Sequence, residues 1–192
     1  MVSFNYSINS MAIIILDRDG VINQHSDSHV RSADEWLPIA GSIEAMAQLS
    51  QAGHQLVIAT NQSGLALGHF DLDDLEAMHA KMRALVEDAG GEIAAIFYCP
   101  HSDEDHCRCR KPNTGLLDAI EAEFDTSLHD CYFVGDRLAD LRCAVAKGCK
   151  PVLVKTGCGD RTLMSLIQSP DPALIGTTVF ESLAQFAEFA LR

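Results

Sequence analysis

The stretch DRDGV at residues 17–21 decides the fold, because it directly follows a continuous apolar run at residues 12–16 (AIIIL). A short uninterrupted apolar run is typical of a strand buried on both faces of a parallel sheet. Residues two apart in an extended chain project to the same side, so Asp17 and Asp19 can face one site. Gly20 allows a sharp exit from the strand. The stretch therefore predicts a buried strand with two carboxylates at its carboxyl end.

Short apolar segments alternate with amphipathic helical patterns along the rest of the chain, as in α/β proteins. Further strands are predicted at 55–59, 93–99, 131–134, 151–155 and 177–180. Helices are predicted at 42–51, from the Asp71 cap to the stop at 90–91, and at 116–124, 138–147, 163–167 and 182–191. This order predicts a Rossmann-like open parallel sheet with helices on both faces.

The composition indicates one folded domain in a reducing compartment. The chain has 192 residues, of which 47% are apolar and 21% charged, the balance of a globular protein. We expect residues 1–10 to form a disordered tail and residues 11–192 a single domain. The seven cysteines are an odd count, and three of them lie within residues 99–109. This argues against a disulfide framework and favours a metal site.

The net charge of −13, from 14 basic and 27 acidic residues, limits the partners. So acidic a surface repels nucleic acid and anionic lipid, and a phosphorylated substrate needs a local basic pocket. The longest apolar run, at residues 11–16, is far too short to span a bilayer, and no secretory leader pattern opens the chain. We therefore expect a cytoplasmic protein that binds neither nucleic acid nor membranes.

Three further polar clusters each follow a predicted strand. They are TNQSG at residues 60–64, RKP at 110–112 and GDRLAD at 135–140. Taken singly, TNQSG is typical of a turn and RKP of solvated surface. The two aspartates of GDRLAD are typical of acids favoured at a helix N-terminus. Ligands of open parallel sheets bind beyond the carboxyl ends of the strands, so these clusters are expected to meet at one site.

The order Asp-x-Asp, Thr, Lys, Gly-Asp-x-x-x-Asp resembles the haloacid dehalogenase superfamily of phosphatases. The resemblance implies that Asp17 is the nucleophile and that Asp19 protonates the leaving alcohol and then activates water. It also implies that Thr60 and Lys111 stabilise the phosphoryl charge. Mg²⁺ would bind Asp17, Asp136 and the backbone carbonyl of Asp19. These roles suit phosphoryl transfer, which depends mainly on positioning and on neutralising the equatorial oxygens.

The spacing C-x-H-x5-C-x-C within residues 99–109 supplies three thiolates and one imidazole, a ligand set for tetrahedral zinc. The ligands are Cys99, His101, Cys107 and Cys109. With four protein ligands the zinc has no open position, so we expect it to be structural and to fix the loop that leads into Arg110 and Lys111. The alternatives are a loop with three free thiols, or His106 as a competing ligand.

This zinc loop, together with TNQSG, is similar to the branch of the superfamily that removes the 7-phosphate from a D-glycero-D-manno-heptose 1,7-bisphosphate. The branch supplies nucleotide-activated heptose for lipopolysaccharide core. The resemblance implies that Arg110 recognises a small phosphorylated sugar and that Arg137 stands where a lysine is common. It implies a pocket lined by Asn61, Gln62 and Ser63.

One segment departs from the pattern of this branch. The branch commonly reads Asn-x-Asp-x-x-Tyr-Val after the nucleophile, whereas Asn23 is here followed by QHSDSHV. The aromatic residue is absent and His29 takes its place. Only 40 residues separate Asp19 from Thr60 and 50 separate Thr60 from Lys111. These intervals leave little room for a separate cap domain, so a capless monomer is expected.

Other functions remain open at this point. A histidinol-phosphate phosphatase resembles the chain in fold and zinc loop, although TNQSG rather than TNQDG favours the heptose branch. A phosphatase of polynucleotide ends or phosphoproteins would use the same open site, and the net charge disfavours the nucleic acid. A non-catalytic zinc module that binds phosphate or a protein partner belongs to a different class.

Overall fold

A computed structural model describes residues 12–192, so the predicted tail at residues 1–10 lies outside the described residues. Six strands form one parallel sheet in the order β3-β2-β1-β4-β5-β6. The strands are β1 Ile13–Leu16, β2 Gln55–Asn61, β3 Ala95–Cys99, β4 Tyr132–Gly135, β5 Lys150–Val154 and β6 Thr178–Phe180. This arrangement confirms the predicted open parallel sheet.

The strand order creates a crevice between β1 and β4. The chain runs outward from β1 to β3 on one side of the sheet and then crosses to β4, which lies on the other side of β1. At the end of β1, Leu16 pairs with Ile58 of β2 and with Val134 of β4. Ligands bind at such a switch point, beyond the carboxyl ends of the strands.

Six helices cover the two faces of the sheet, which confirms the second part of the predicted architecture. They are α1 Ser42–Gln51, α2 Leu72–Asp88, α3 Gly115–Phe124, α4 Leu138–Ala146, α5 Gly159–Gln168 and α6 Leu183–Ala190, with a 3-10 turn at Pro172–Leu174. No helix within residues 12–192 combines the length and the apolar character needed to cross a lipid bilayer.

Alternate side chains of β1 enter two different cores, as the period of a strand requires. Ile14 and Leu16 pack with buried side chains of α1, α2 and α6. Ile13 and Ile15 pack with buried side chains of α3 and α4 on the opposite face. All four are at most 3% exposed, so burial on both faces holds the carboxyl end of β1 in place.

The start of α2 follows the predicted capping signals. The side chain of Asp71 accepts a hydrogen bond from the backbone N–H of Asp74, and the Asp74 side chain accepts one from the backbone N–H of Asp71. Phe70 and Leu75 belong to the same core, as a hydrophobic staple requires. This cap fixes the direction in which the chain leaves the segment after β2.

Several element ends differ from the sequence prediction. β2 continues to Asn61, because Thr60 and Asn61 pair with the end of β3 despite their polar side chains. β3 begins at Ala95 rather than at residue 93, and α5 begins at Gly159 rather than near residue 163. These ends depend on which strands pair and on how the loops close, and local sequence patterns predict neither.

Candidate active site

Four buried charged side chains meet at the carboxyl ends of β1 and β4. Asp17 directly follows β1, Asp136 directly follows β4, and Asp140 lies in the first turn of α4. Lys111 reaches this point from the loop after β3, and its Nζ lies 2.9 Å from Oδ1 of Asp17 and 2.6 Å from Oδ1 of Asp140. The ammonium also donates a hydrogen bond to the carbonyl oxygen of Ala59, at 2.7 Å. The predicted nucleophile, metal ligand and cation therefore lie together.

The sequence predicts Asp140 as an acid favoured at a helix N-terminus and as the last residue of the Gly-Asp-x-x-x-Asp motif, and the structure gives it a further part. One of its carboxylate oxygens contacts Lys111, and the other accepts a hydrogen bond from the backbone N–H of Arg137 at 3.0 Å. Asp140 thus fixes the ammonium beside Asp17. The signal in the sequence is its place in the Gly-Asp-x-x-x-Asp motif, because Asp136 directly follows β4 and Asp140 lies in the first turn of the helix that begins at Leu138.

The electrostatics of this cluster show an excess of negative charge. Burial raises the pKa of Asp17 to about 6, although Lys111 opposes the shift. Burial, together with the carboxylates of Asp140 and Asp17, raises the pKa of Asp136 to about 8. Burial opposes the charge of Lys111, but Asp140 and Asp17 outweigh it and raise the pKa of the ammonium. The cluster contains three carboxylates and one ammonium, which contacts two of them, so it favours additional positive charge.

The residues of this cluster fit the predicted magnesium ion. Asp17, Asp136 and Asp140 each offer a carboxylate oxygen within 4.8 Å of the others. Oδ2 of Asp136 accepts a hydrogen bond from the backbone N–H of Cys158 at 2.7 Å, whereas its buried Oδ1 has no hydrogen-bond partner among the described residues. Mg²⁺ prefers such carboxylate oxygens. The backbone carbonyl of Asp19 as a further ligand stays a prediction.

Two glycines allow the backbone to approach Asp136. Gly20 and Gly157 adopt φ values of +89° and +60°, and a Cβ atom on either residue would collide with Oδ2 of Asp136. The hydroxyl of Thr156 donates a hydrogen bond to the carbonyl oxygen of Gly20 at 2.6 Å. The turns after β1 and β5 therefore close tightly around this carboxylate, and side chains larger than hydrogen are excluded there.

The carboxylate of Asp19 accepts hydrogen bonds from three side chains. Arg18 Nη2 lies 3.0 and 2.9 Å from its two oxygens, Asn23 Nδ2 lies 2.9 Å from Oδ1, and Gln62 Nε2 lies 2.8 Å from Oδ2. Burial raises the pKa of Asp19, but the positive charge of Arg18 and these three donors outweigh it and lower the pKa below its ordinary value. Asp19 is 25% exposed and lines the cavity described below.

The end of β2 supplies a polar edge to the same site. The amide of Asn61 donates to the carbonyl oxygen of Lys111 and accepts from its backbone N–H, both at 3.1 Å. The amide of Gln62 donates to Oγ1 of Thr60 at 2.9 Å. The side-chain amides of Asn61 and Gln62, both predicted pocket residues, therefore hold neighbouring residues of the site in place. The hydroxyl hydrogen of Thr60 stays available for a ligand.

These groups line a cavity of about 490 Å³, which suits a small ligand. Arg110 and Arg137, both predicted from sequence, contribute to its wall. Nε of Arg110 donates to Oδ1 of Asp103 at 2.5 Å, and Nη2 of Arg137 lies 3.4 Å from Nε2 of His25. Arg18 lines the cavity as well, so three guanidinium groups stand there in an otherwise acidic protein, and a phosphorylated ligand requires such positive charge.

The segment after the nucleophile forms another part of the wall. Nε2 of His29 lies 3.3 Å from Oγ of Ser63, and the centroid of its ring lies 4.9 Å from that of His69, with the two rings tilted by 33°. Burial, and then the neighbouring His69, lower the pKa of His29. The predicted pocket residue Ser63 therefore has His29 as its partner. From the sequence, His29 was notable only as a departure from the family pattern.

The four predicted zinc ligands lie together in the loop between β3 and α3. Their donor atoms all lie within 4.8 Å of one another. The Sγ atoms of Cys99, Cys107 and Cys109 are 3.0 to 3.5 Å apart, and Nδ1 of His101 lies 3.3 and 3.6 Å from two of them. The edge of a tetrahedral zinc–thiolate site is about 3.8 Å. The donors therefore fit zinc after small shifts, and His106 is not a member of the group.

Comparisons with known proteins agree with this geometry. Residues 108–185 match the family described as "HAD-hyrolase-like". The crystal structure of D,D-heptose 1,7-bisphosphate phosphatase from B. bronchiseptica, complexed with magnesium and phosphate, aligns with a TM-score of 0.89. It is 49% identical, and the alignment covers 94% of this chain and 98% of that one. The Burkholderia thailandensis phosphatase of the same name aligns with a TM-score of 0.72 at 37% identity, over 94% and 98% of the two chains.

Curated relatives at 46% to 50% identity are similar over almost their whole length. The D-glycero-beta-D-manno-heptose-1,7-bisphosphate 7-phosphatase of Pseudomonas aeruginosa is 50% identical, over 95% of this chain and 99% of its own. The fold and the site together define a phosphatase of the haloacid dehalogenase superfamily. Within it, the chain belongs to the family of the D-glycero-D-manno-heptose-1,7-bisphosphate 7-phosphatases. The family resemblance and the enzyme class expected from the sequence are thereby confirmed.

Proposed function

We propose that this chain hydrolyses the 7-phosphate of D-glycero-D-manno-heptose 1,7-bisphosphate through a phosphorylated Asp17, with Mg²⁺ as its catalytic cofactor. The observation that carries the proposal is the contact of Lys111 with Asp17, 2.9 Å apart and buried at the floor of the cavity that Asp19 also lines. The names of relatives that are 46% to 50% identical support the choice of sugar.

In the first step, a carboxylate oxygen of Asp17 attacks phosphorus and the bond to the sugar oxygen breaks. Asp19 gives its proton to that oxygen, so the sugar leaves as a neutral alcohol. The hydrogen-bond donors around Asp19 favour its ionised form in the free site, and the negative charge of the bound phosphate favours the protonated form that this step needs. Lys111 and the hydroxyl of Thr60 stabilise the equatorial phosphoryl oxygens. The aspartyl-phosphate divides one difficult hydrolysis into two displacements.

In the second step, Asp19 takes a proton from water as the water oxygen attacks phosphorus, and Asp17 is released as a carboxylate. Magnesium, when held by Asp17 and Asp136, would neutralise charge on the phosphoryl group. Support for this cofactor comes from Oδ1 of Asp136, which is buried without a hydrogen-bond partner in the part of the chain that the structure describes. The relative complexed with magnesium and phosphate supports it as well.

The proposed substrate is a small sugar with two phosphate groups, and the arginines at the cavity suit its second phosphate. Arg110 and Arg137 offer charge-assisted hydrogen bonds to the phosphate that is not cleaved. The word beta in the names of the relatives supports the β anomer. The product is then a heptose 1-phosphate for nucleotide-activated heptose and lipopolysaccharide core. We propose that the enzyme acts in the cytoplasm as a monomer, with structural zinc in the 99–109 loop.

A phosphate-release assay tests the proposal, with both heptose bisphosphate anomers, sugar monophosphates and histidinol phosphate, in the presence and absence of Mg²⁺. We expect the β bisphosphate to be preferred and Asp17→Asn to be inactive but folded by circular dichroism. The exposed Asp34→Asn serves as the matched control. A preference for histidinol phosphate would assign the alternative substrate. Inactivity of the wild type toward every phosphomonoester would support a binding module.

A further inference from the structure

The proposed mechanism gives no part to a buried arginine beside the general acid. Arg18 is 1% exposed, and its Nη2 lies 3.0 and 2.9 Å from the two carboxylate oxygens of Asp19. Its Nε and Nη1 are also buried and have no hydrogen-bond partner within residues 12–192. A buried guanidinium is costly, and one with unmatched donors is more so. Packing therefore does not account for Arg18 at this position.

Gln62 extends the contact from Arg18 to the phosphate-binding threonine. Nη2 of Arg18 donates to Oε1 of Gln62 at 3.1 Å. The amide nitrogen must then face the other way, where it donates to Oδ2 of Asp19 at 2.8 Å and to Oγ1 of Thr60 at 2.9 Å. Arg18 thus sets the orientation of the amide, and the amide links the acid to the threonine.

We infer that Arg18 and Gln62 are positioning residues that act through Asp19 and aim its carboxyl group at the leaving oxygen and at the attacking water. This inference rests on the proposed function, from which it takes the role of Asp19. Gln62 then acts by holding the carboxyl group of Asp19 and not by contacting the sugar. All three contacts of Arg18 come from one nitrogen, so a lysine that places Nζ there can retain them.

Leaving-group dependence separates this role from a structural one. An alkyl oxygen needs a proton to leave, whereas p-nitrophenolate leaves without one. In Arg18→Met or Gln62→Met we expect kcat for the heptose bisphosphate to fall about 10²-fold, the contribution of a positioned acid–base group. With p-nitrophenyl phosphate, phosphorylation of Asp17 should persist while hydrolysis slows. Rapid mixing should then show a burst of p-nitrophenolate equal to the enzyme concentration.

Two further variants complete the test. Arg18→Lys should restore kcat for the bisphosphate at least tenfold relative to Arg18→Met. Ser42→Ala removes another buried hydrogen bond, from Oγ to the carbonyl of Ile22 at 2.7 Å, and should leave kinetics unchanged. If Arg18→Met does not fold, Gln62→Met carries the test alone. An equal loss for both substrates without a burst, or no loss, overturns the inference. Failure of the wild type to release phosphate instead overturns the proposed function.

Discussion

Lys111 and Asp140 form a buried ion pair, with Nζ of Lys111 2.6 Å from Oδ1 of Asp140 and each side chain 2% exposed. The pair joins the loop after β3 to the first turn of α4, two elements on opposite sides of β1 in the sheet. It therefore fixes the direction in which the ammonium points toward Asp17. The same carboxylate is also one of three that could hold the metal ion.

Asp140→Asn distinguishes these two roles. If Asp140 acts through Lys111, kcat should fall about 10²-fold, because the ammonium no longer stabilises the phosphoryl oxygens from a fixed position. The Mg²⁺ concentration for half-maximal activity should not change. A rise in that concentration with unchanged kcat at saturating Mg²⁺ would contradict this role and assign a ligand. Asp118→Asn, which breaks the exposed contact of Asp118 with Lys147, is the control.

Arg110→Ala tests recognition of the second phosphate. We expect kcat/KM for the heptose bisphosphate to fall about 10- to 100-fold, as for the loss of one charge-assisted hydrogen bond. Turnover of p-nitrophenyl phosphate should change by less than about threefold, because it carries no second phosphate. The exposed neighbour Arg108 allows a control of equal charge, Arg108→Ala. Equal losses for the two substrates would show that Arg110 does not recognise the second phosphate.

Cys109→Ser tests the structural metal. We expect purified wild type to contain one equivalent of zinc by atomic absorption and the variant to contain much less, since serine is a poor zinc ligand. The midpoint of thermal unfolding should fall and KM should rise, because Arg110 directly follows the last ligand. Cys131→Ser, outside the cluster, should keep its zinc. Full zinc content in Cys109→Ser would show that the cluster is not the site.

His79 should make the fold sensitive to acid. Burial, followed by the positive charges of Arg18 and Arg83, lowers its pKa from 6.5 to about 4. Between these values the unfolded chain binds a proton that the folded protein does not, so stability is lost as the pH falls below 6.5. The linkage relation gives a loss of about 2 kcal/mol at pH 5 relative to pH 7.

Urea unfolding at pH 7 and pH 5 measures this effect. In His79→Gln, the loss of unfolding free energy between the two pH values should be smaller than in the wild type by about 2 kcal/mol. The exposed His129 provides His129→Gln, which should behave as the wild type. The same pH dependence in His79→Gln and wild type would contradict the prediction.

The sequence predicted the sheet and the main site groups, because both depend on local patterns. Short apolar runs identified the strands, apolar spacing and the following Gly53 placed α1 at Ser42–Gln51, and capping signals placed the start of α2 at its Asp71 cap. Parallel strands bring their carboxyl ends to one edge, so Asp17, Lys111 and Asp136 could be expected to meet. The zinc ligands lie close in the sequence, which made that cluster predictable too.

The partners within the site could not be predicted in the same way. Asp140 lies 29 positions from Lys111, and Gln62 lies 44 positions from Arg18. Contacts at such separations depend on the register of the sheet and on the rotamers of buried side chains. An arginine between two aspartates is ordinarily interpreted as exposed, so the burial of Arg18 was not expected. The roles of the individual site residues stay predictions until the variants are measured.

The two hydrogen bonds between the side-chain amide of Asn61 and the backbone of Lys111 have a consequence for the loop that precedes Lys111. The tip at residues 103–106 is exposed, and it lies between two members of the cysteine–histidine cluster, His101 and Cys107. Lys111 lies beyond this cluster and is held separately by Asn61. Exposed tips between fixed ends tolerate insertions. The length of the tip can therefore change without displacing the ammonium of Lys111, so this loop offers a place where the range of accepted sugars could be redesigned independently of the proposed phosphoryl chemistry.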